Sequence, residues 1–145
     1  EIAPLPKISF NTSSSEVKDV LDPEPDAPTF IQADNQFKKV DEWTEYCYKE
    51  LSDPSGTELL WLIGVTDYRW IDPKNSRRGN LNLGMNRSEN LHKMIVAGLE
   101  ARGVPAELIK KRIIFASIGK EHPLSQNLSD NRTVVLVKGE IRSKL

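Results

Sequence analysis

Apolar positions along the chain fall into short blocks with two different periods. Ile8 and Phe10 alternate with Lys7, Ser9 and Asn11, which is the rhythm of a short strand. Phe37, Val40, Trp43, Cys47 and Leu51 recur every three or four residues and predict an amphipathic helix over 36–52. Asp34 or Asn35 can cap it, and Asp53-Pro54-Ser55-Gly56 stops it. The unbroken run from Leu59 to Val65 reads as a buried strand. Leu91, Met94, Ile95, Gly98 and Leu99 form a second helical stripe. Asn80 or Asn82 can cap that helix, and Gly103 stands where a left-handed C-terminal residue belongs. Pro105 opens a further helical turn through Ile109. Residues 112–117 and 133–137 have the β-branched and aromatic content of strands.

Polar stretches separate these blocks. Residues 12–15 read as a turn, and 119–131 as a loop. From Asp22 to Pro28 three prolines alternate with acids, which denies the stretch both helix and ladder bonds. Residues 68–79 form a long polar loop carrying Arg69, Trp70, Arg77 and Arg78. The order strand, helix, strand, helix, strand, strand predicts an α+β sandwich within the broad α/β class, a mixed sheet with helices on one face. A division follows: residues 1–35 as an N-terminal strand plus proline-rich acidic linker, and 36–145 as the domain core.

Composition narrows the function. With 145 residues, 38% apolar and 28% charged, the chain suits one globular domain. No run approaches the roughly 20 apolar residues of a membrane helix. The chain begins at Glu1 rather than Met, so the expectation is that any export signal or anchor lies upstream. Cys47 is the single cysteine and reads as a plain buried thiol. Residues 1–68 carry 5 basic against 14 acidic residues, whereas 69–145 carry 15 against 7. A basic half can attract an anionic polymer, or the acidic half can fold back over it.

Asp67 is expected just past a strand end and Arg87 in a helix's first turn. A carboxylate fixed beside a guanidinium suits a zwitterionic ligand; the plainer reading is a surface ion pair contributing about 0–1 kcal/mol. His92 and His122 lack metal-ligand spacing, and no phosphate loop or nucleophile elbow is present, so no enzyme is expected. The clusters Arg77-Arg78 and Lys110-Lys111-Arg112 lack an aromatic platform for nucleic acid.

Taken together, the blocks resemble the OmpA-like domain, the peptidoglycan-binding module of outer-membrane proteins, lipoproteins and flagellar stator subunits. Gly64-Val65-Thr66-Asp67 stands where the family has Gly-His-Thr-Asp. Asn80-x-x-Leu83-Gly84-x-x-Arg87-Ser88 is similar to the Asn-x-x-Leu-Ser-x-x-Arg-Ala that opens its long helix. Gly103-Val104, Gly119-x-x-x-Pro123 and Asn131-Arg132-Thr133-Val134 match its later turns and last strand. Ile8-Ser9-Phe10-x-x-x-Ser14 is similar to its first strand. The resemblance covers 59–137, with 8–17 weaker. Val65, Gly84 and Thr133 depart from the family's histidine, serine and second arginine, and the loop between Asp67 and Arg87 is longer.

The resemblance implies an OmpA-like mixed four-stranded sheet with helices packed on one face, residues 8–17 giving the first strand. It implies binding of the diaminopimelate of the peptidoglycan stem, with Asp67 taking its ammonium and Arg87 its carboxylate. Thr66, Asn80 and Arg132 are the supporting polar groups. No catalytic residue, metal or cofactor is implied. The expected place is the periplasm of a Gram-negative cell, tethered to the inner or outer membrane upstream of residue 1. The expected partner is peptidoglycan, not nucleic acid. The alternative is a regulatory domain of a stator-like proton-channel subunit, with an inner-membrane partner, conditional wall binding and room for a homodimer.

Overall fold

The computed structural model describes residues 3–11, 14–18, 36–53, 55–67, 76–120, 124 and 131–140, with backbone alone at 76–78. Along the chain run α1 (Gln36–Leu51), β1 (Leu59–Val65), α2 (Ser76–Ala101), α3 (Ala106–Arg112), β2 (Ile113–Gly119) and β3 (Thr133–Gly139). The strands lie in the order β2-β1-β3. β1 is parallel to β2 and antiparallel to β3. Parallel neighbours need a crossover, which α2 and α3 supply. Strand alternation sends Leu60, Leu62, Ile113, Val134 and Leu136 into the core with Val40, Trp43, Cys47, Leu91, Ile95 and Leu99. Trp61 and Ile63 point to the other face, in rows with Ile114 and Val137 and with Ala116 and Val135.

Among the described residues three strands form where the resemblance implied four. Residues 3–10 lie along the outer edge of β3, held by Ala3 N donating to Leu136 O (2.8 Å) and Phe10 N to Arg132 O (2.9 Å). One bridge, Ser9 with Thr133, is as much ladder as this segment makes. Pro4 and Pro6 have no N–H to contribute, which prevents a regular fourth strand. The side-chain amide of Gln36 completes the edge, accepting from Ser9 N (3.3 Å) and donating to Ser9 O. Trp43 Nε1 donates to Pro6 O at 2.8 Å. Ile8 and Phe10 are buried on one side, as their alternation predicts.

Two helix expectations are corrected. Phe37 is 50% exposed, because α1 meets α2 at Thr44, whose methyl fits over Gly98, and Gln36 takes the inward place in the first turn. The second helix starts at Ser76, so Asn80 is inside it rather than its cap and Arg87 lies about three turns in. Its backbone N–H groups there are already committed within the helix, which removes a helix-terminus contribution to anion binding. The early turns escape an apolar-period reading because their buried stripe is Asn80, Gly84, Arg87 and Ser88. At the other end Gly103 adopts φ 84, with Gly103 N bonded to Glu100 O and Val104 N to Leu99 O, the Schellman closure its position predicts. The expected caps Asp34 and Asn35, the proline–acid stretch, residues 68–75 and His122 lie outside the described residues.

Candidate functional site

A glycine pair sets the depth at which α2 lies on the sheet. A Cβ on Gly64 would stand 1.7 Å from Gly84 O, and one on Gly84 would stand 2.2 Å from Ser117 Oγ. Only glycine at both positions lets the helix backbone touch the strand. Gly84 in place of the family's serine is thus matched to this contact. One turn on, Arg87 reaches the end of β1.

Arg87 is 0% exposed. Its guanidinium donates from Nε to Ser14 O (2.8 Å), from Nη1 to Val65 O (3.0 Å) and from Nη2 to Asn11 O (3.1 Å). Its Cζ lies 5.3 Å from the Phe10 ring centre. Ser14 N donates to Asn11 O at 3.1 Å, so two of the carbonyl-bearing residues that hold the guanidinium are also tied to each other. Asn90 Nδ2 ties Ser15 O down beside it at 2.8 Å. Burial pushes the Arg87 pKa down to about 10, and the Asp67 charge opposes that shift. The guanidinium therefore stays charged at neutral pH, within the field of Asp67.

The antiparallel register pairs Val65 with Thr133, so the residues just beyond β1 lie beside those just before β3. Asp67 and Arg132 meet there, with Nη1 donating to Oδ2 at 3.2 Å and both side chains buried. Arg132 Nε also donates to Phe10 O at 3.0 Å. Thr133 Oγ1 donates to Ile8 O and so fastens the same segment. Thr66 N donates to Gly119 O at 3.0 Å, at the end of β2 where Gly119 takes φ 55. A Cβ on Gly119 would press on Leu81 N and on Asn80 C, so buried Asn80 is held against the same corner. Thr66 is 2% exposed, and its hydroxyl has no hydrogen-bond partner.

All five sequence-derived residues thus gather where β1, β2, β3 and α2 meet. Asp67 pairs with Arg132, and Arg87 is sunk beneath Asn11 and Ser14. Arg87 has a structural role as well as a place in the candidate site, because its side chain satisfies three main-chain carbonyls. Phe10, Asn11, Ser14 and Asn90 belong to the site and were missed. The one signal for them was the spacing of Phe10 and Ser14 in the first-strand motif.

Solved structures match the fold of this chain. The peptidoglycan-associated lipoprotein from Burkholderia pseudomallei is 21% identical, with 91% of this chain and 88% of that one aligned at a TM-score of 0.60. The C-terminal domain of Helicobacter pylori MotB is 14% identical over 95% and 88% of the two chains, TM-score 0.58. The fold is OmpA-like. The cell wall anchor of the T6SS from Pseudomonas aeruginosa shares it, at 16% identity over 90% and 75%, TM-score 0.55. No family model and no curated protein matches the chain. The lipoprotein and MotB domains fit about equally well, so this OmpA-like fold does not by itself choose a parent architecture.

Proposed function

We propose that this chain is a non-catalytic periplasmic domain that holds its parent protein to peptidoglycan by binding the diaminopimelate of the peptide stem. The observation that carries the reading is the unpartnered, buried Thr66 hydroxyl beside the Asp67–Arg132 pair. A buried hydroxyl without a partner costs about 1–3 kcal/mol, which a ligand would recover. In this reading Asp67 accepts the ligand's ammonium. Its carboxylate takes the Thr66 hydroxyl and the Arg87 N–H groups left over once three of the guanidinium's five donors are spent on Ser14, Val65 and Asn11. Arg132 orients Asp67, and Asn80 shapes the corner. The names of the lipoprotein and the cell wall anchor, both of which share the fold, support attachment to peptidoglycan in general.

Co-sedimentation with purified sacculi tests the proposal, with free diaminopimelate as competitor. Thr66→Val is the informative variant. It deletes the unpartnered hydroxyl at nearly constant shape, so stability is expected to hold or rise by about 1 kcal/mol while binding falls. Equal pelleting of variant and parent, insensitive to diaminopimelate, would remove the assignment.

Burial of Arg87 favours a conditional form of this attachment, in keeping with a regulatory, stator-like parent. A carboxylate reaches the guanidinium only when Asn11 and Ser14 release it. Saturating diaminopimelate should then speed or slow amide exchange at Ser14 and Ser15; unchanged exchange in a bound domain would exclude the gate.

A further inference from the structure

His92, Val96 and Glu100 follow one another at four-residue spacing on α2 and so share one helix face. They form one wall of an apolar cleft of about 320 Å³, with Ile109 and Lys110 of α3 opposite and Phe115 of β2 between them. Every side chain that lines the cleft belongs to the described residues. The His92 ring meets the Phe115 ring at 4.9 Å, tilted by 51°. His92 is also bonded to the Ile113 backbone, which fixes the ring pair at the floor. The charges at the mouth are unspent. Elsewhere on these helices Glu45 pairs with Arg102, and Glu89 with Lys93. Glu100 and Lys110 are exposed, and neither side chain makes an ion pair or a hydrogen bond among the described residues. A carboxylate and an ammonium thus stand on opposite walls of one apolar cleft.

We infer that this cleft is a second binding site, for an aromatic α-amino acid in its zwitterionic form. The ring lies against Val96, Ile109 and Phe115, the ammonium faces Glu100 and the carboxylate faces Lys110. The size fits, since an apolar cavity of about 150 Å³ holds benzene and this cleft has room for a ring with its head group. An aromatic body is favoured over an aliphatic one because the tilted His92–Phe115 pair offers a third ring an edge or a face. The two charges at the mouth lie in water, so each adds little affinity. The apolar body therefore supplies most of the binding, and the charges select which apolar body stays. The cleft lies at the other end of the sheet from the Thr66–Asp67 corner: Ile113 is opposite Leu60 near the start of β1, whereas the corner follows Val65 and Gly119. The two sites are separate, and this inference does not rest on the wall-binding reading.

Titration of the chain with L-phenylalanine, followed by backbone amide shifts, tests this. The expected result is a saturable set of shifts at His92, Val96, Ile109 and Phe115, with affinity in the millimolar range that suits so small a ligand. L-Alanine carries the same head group without the ring and is expected to leave these amides unmoved. Phenethylamine lacks the carboxylate and phenylpropionate lacks the ammonium, so each should bind up to about fivefold more weakly. Glu100→Gln should weaken phenylalanine by the same factor and leave phenylpropionate unchanged. Lys110→Gln should weaken phenylalanine and leave phenethylamine unchanged. Both substitutions are on exposed side chains, so the fold is kept. No saturable shift at the cleft up to the solubility limit of phenylalanine overturns the inference, as do shifts centred on Thr66 and Asp67 instead. Equal affinity for all three aromatic probes would mean an apolar cleft that reads no head group, which also overturns it. Sacculus binding enters none of these readouts, so this inference and the wall-binding reading fail separately.

Discussion

Replacing Arg87 by alanine would strand the carbonyls of Ser14, Val65 and Asn11 in the interior and leave a large void over Phe10. The expected cost is about 3–5 kcal/mol, read as a lowered denaturant midpoint. Lysine keeps the charge but not the fork, so Arg87→Lys should recover little of that stability. Binding assays on Arg87 variants must therefore be read beside their folding, whereas Thr66→Val separates the two. His92 gives a second residue-level expectation. Burial holds its pKa below the ordinary 6.5, against a bond to the Ile113 backbone and the Glu89 charge. The unfolded chain takes up this proton first as pH falls, so stability drops as pH passes down through 6.5. In His92→Phe that part of the acid sensitivity should be gone; an unchanged slope of Tm against pH would contradict it. Cys47, read from the sequence as a plain buried thiol, has its pKa pushed up to about 12 by burial, with the Glu50 charge adding to it, and is inert at neutral pH. At this scale the charged residues named from the sequence stand together, Asp67 paired with Arg132 and within the field of Arg87. The sequence could not say that Arg87 spends its donors on backbone, because carbonyls of distant residues leave no trace in side-chain pattern.

Among the elements, β1, β2, β3 and α1 were legible within a residue or two, because each is ruled by apolar period. α2 was legible from its expected cap at Asn80 or Asn82 onward, and only the opening turn of its N-terminal half, 76–79, was read as loop. Its first turns bury Asn80, Gly84 and Arg87, and a helix with a polar inner stripe looks like a loop to any hydrophobic count. The contact of Gly64 with Gly84 positions that half and is testable. Gly64→Ala should force the helix off the strand at a cost of about 3 kcal/mol, lowering Tm by roughly 10 °C. A neutral Gly64→Ala would mean that the helix lies higher than described. The fourth strand has a local reason for not forming, since Pro4 and Pro6 stand just before the segment expected to form it.

For the whole molecule, the opposed charges of the two chain halves meet within one body. Glu45 of α1 pairs with Arg102, and Glu50 with Lys138 at 3.4 Å, so part of the basic half is answered internally. Arg112 is drawn inward as well, donating from Nε to Glu58 O (2.6 Å) and from Nη1 to Gly56 O (3.0 Å). These pairings weaken any reading of the basic half as a surface for an anionic polymer and concentrate attention on the corner at Thr66, Asp67, Arg87 and Arg132. The ligand proposed for it rests on the resemblance, because two charges twenty residues apart do not specify what lies between them. The most direct test is a titration of the domain with free meso-diaminopimelate, followed by backbone amide shifts. The account expects saturable shifts centred on Thr66, Asp67, Ser14 and Arg132, abolished in Asp67→Asn. No saturable shift, or shifts gathered around His92 and Phe115 instead, would contradict it.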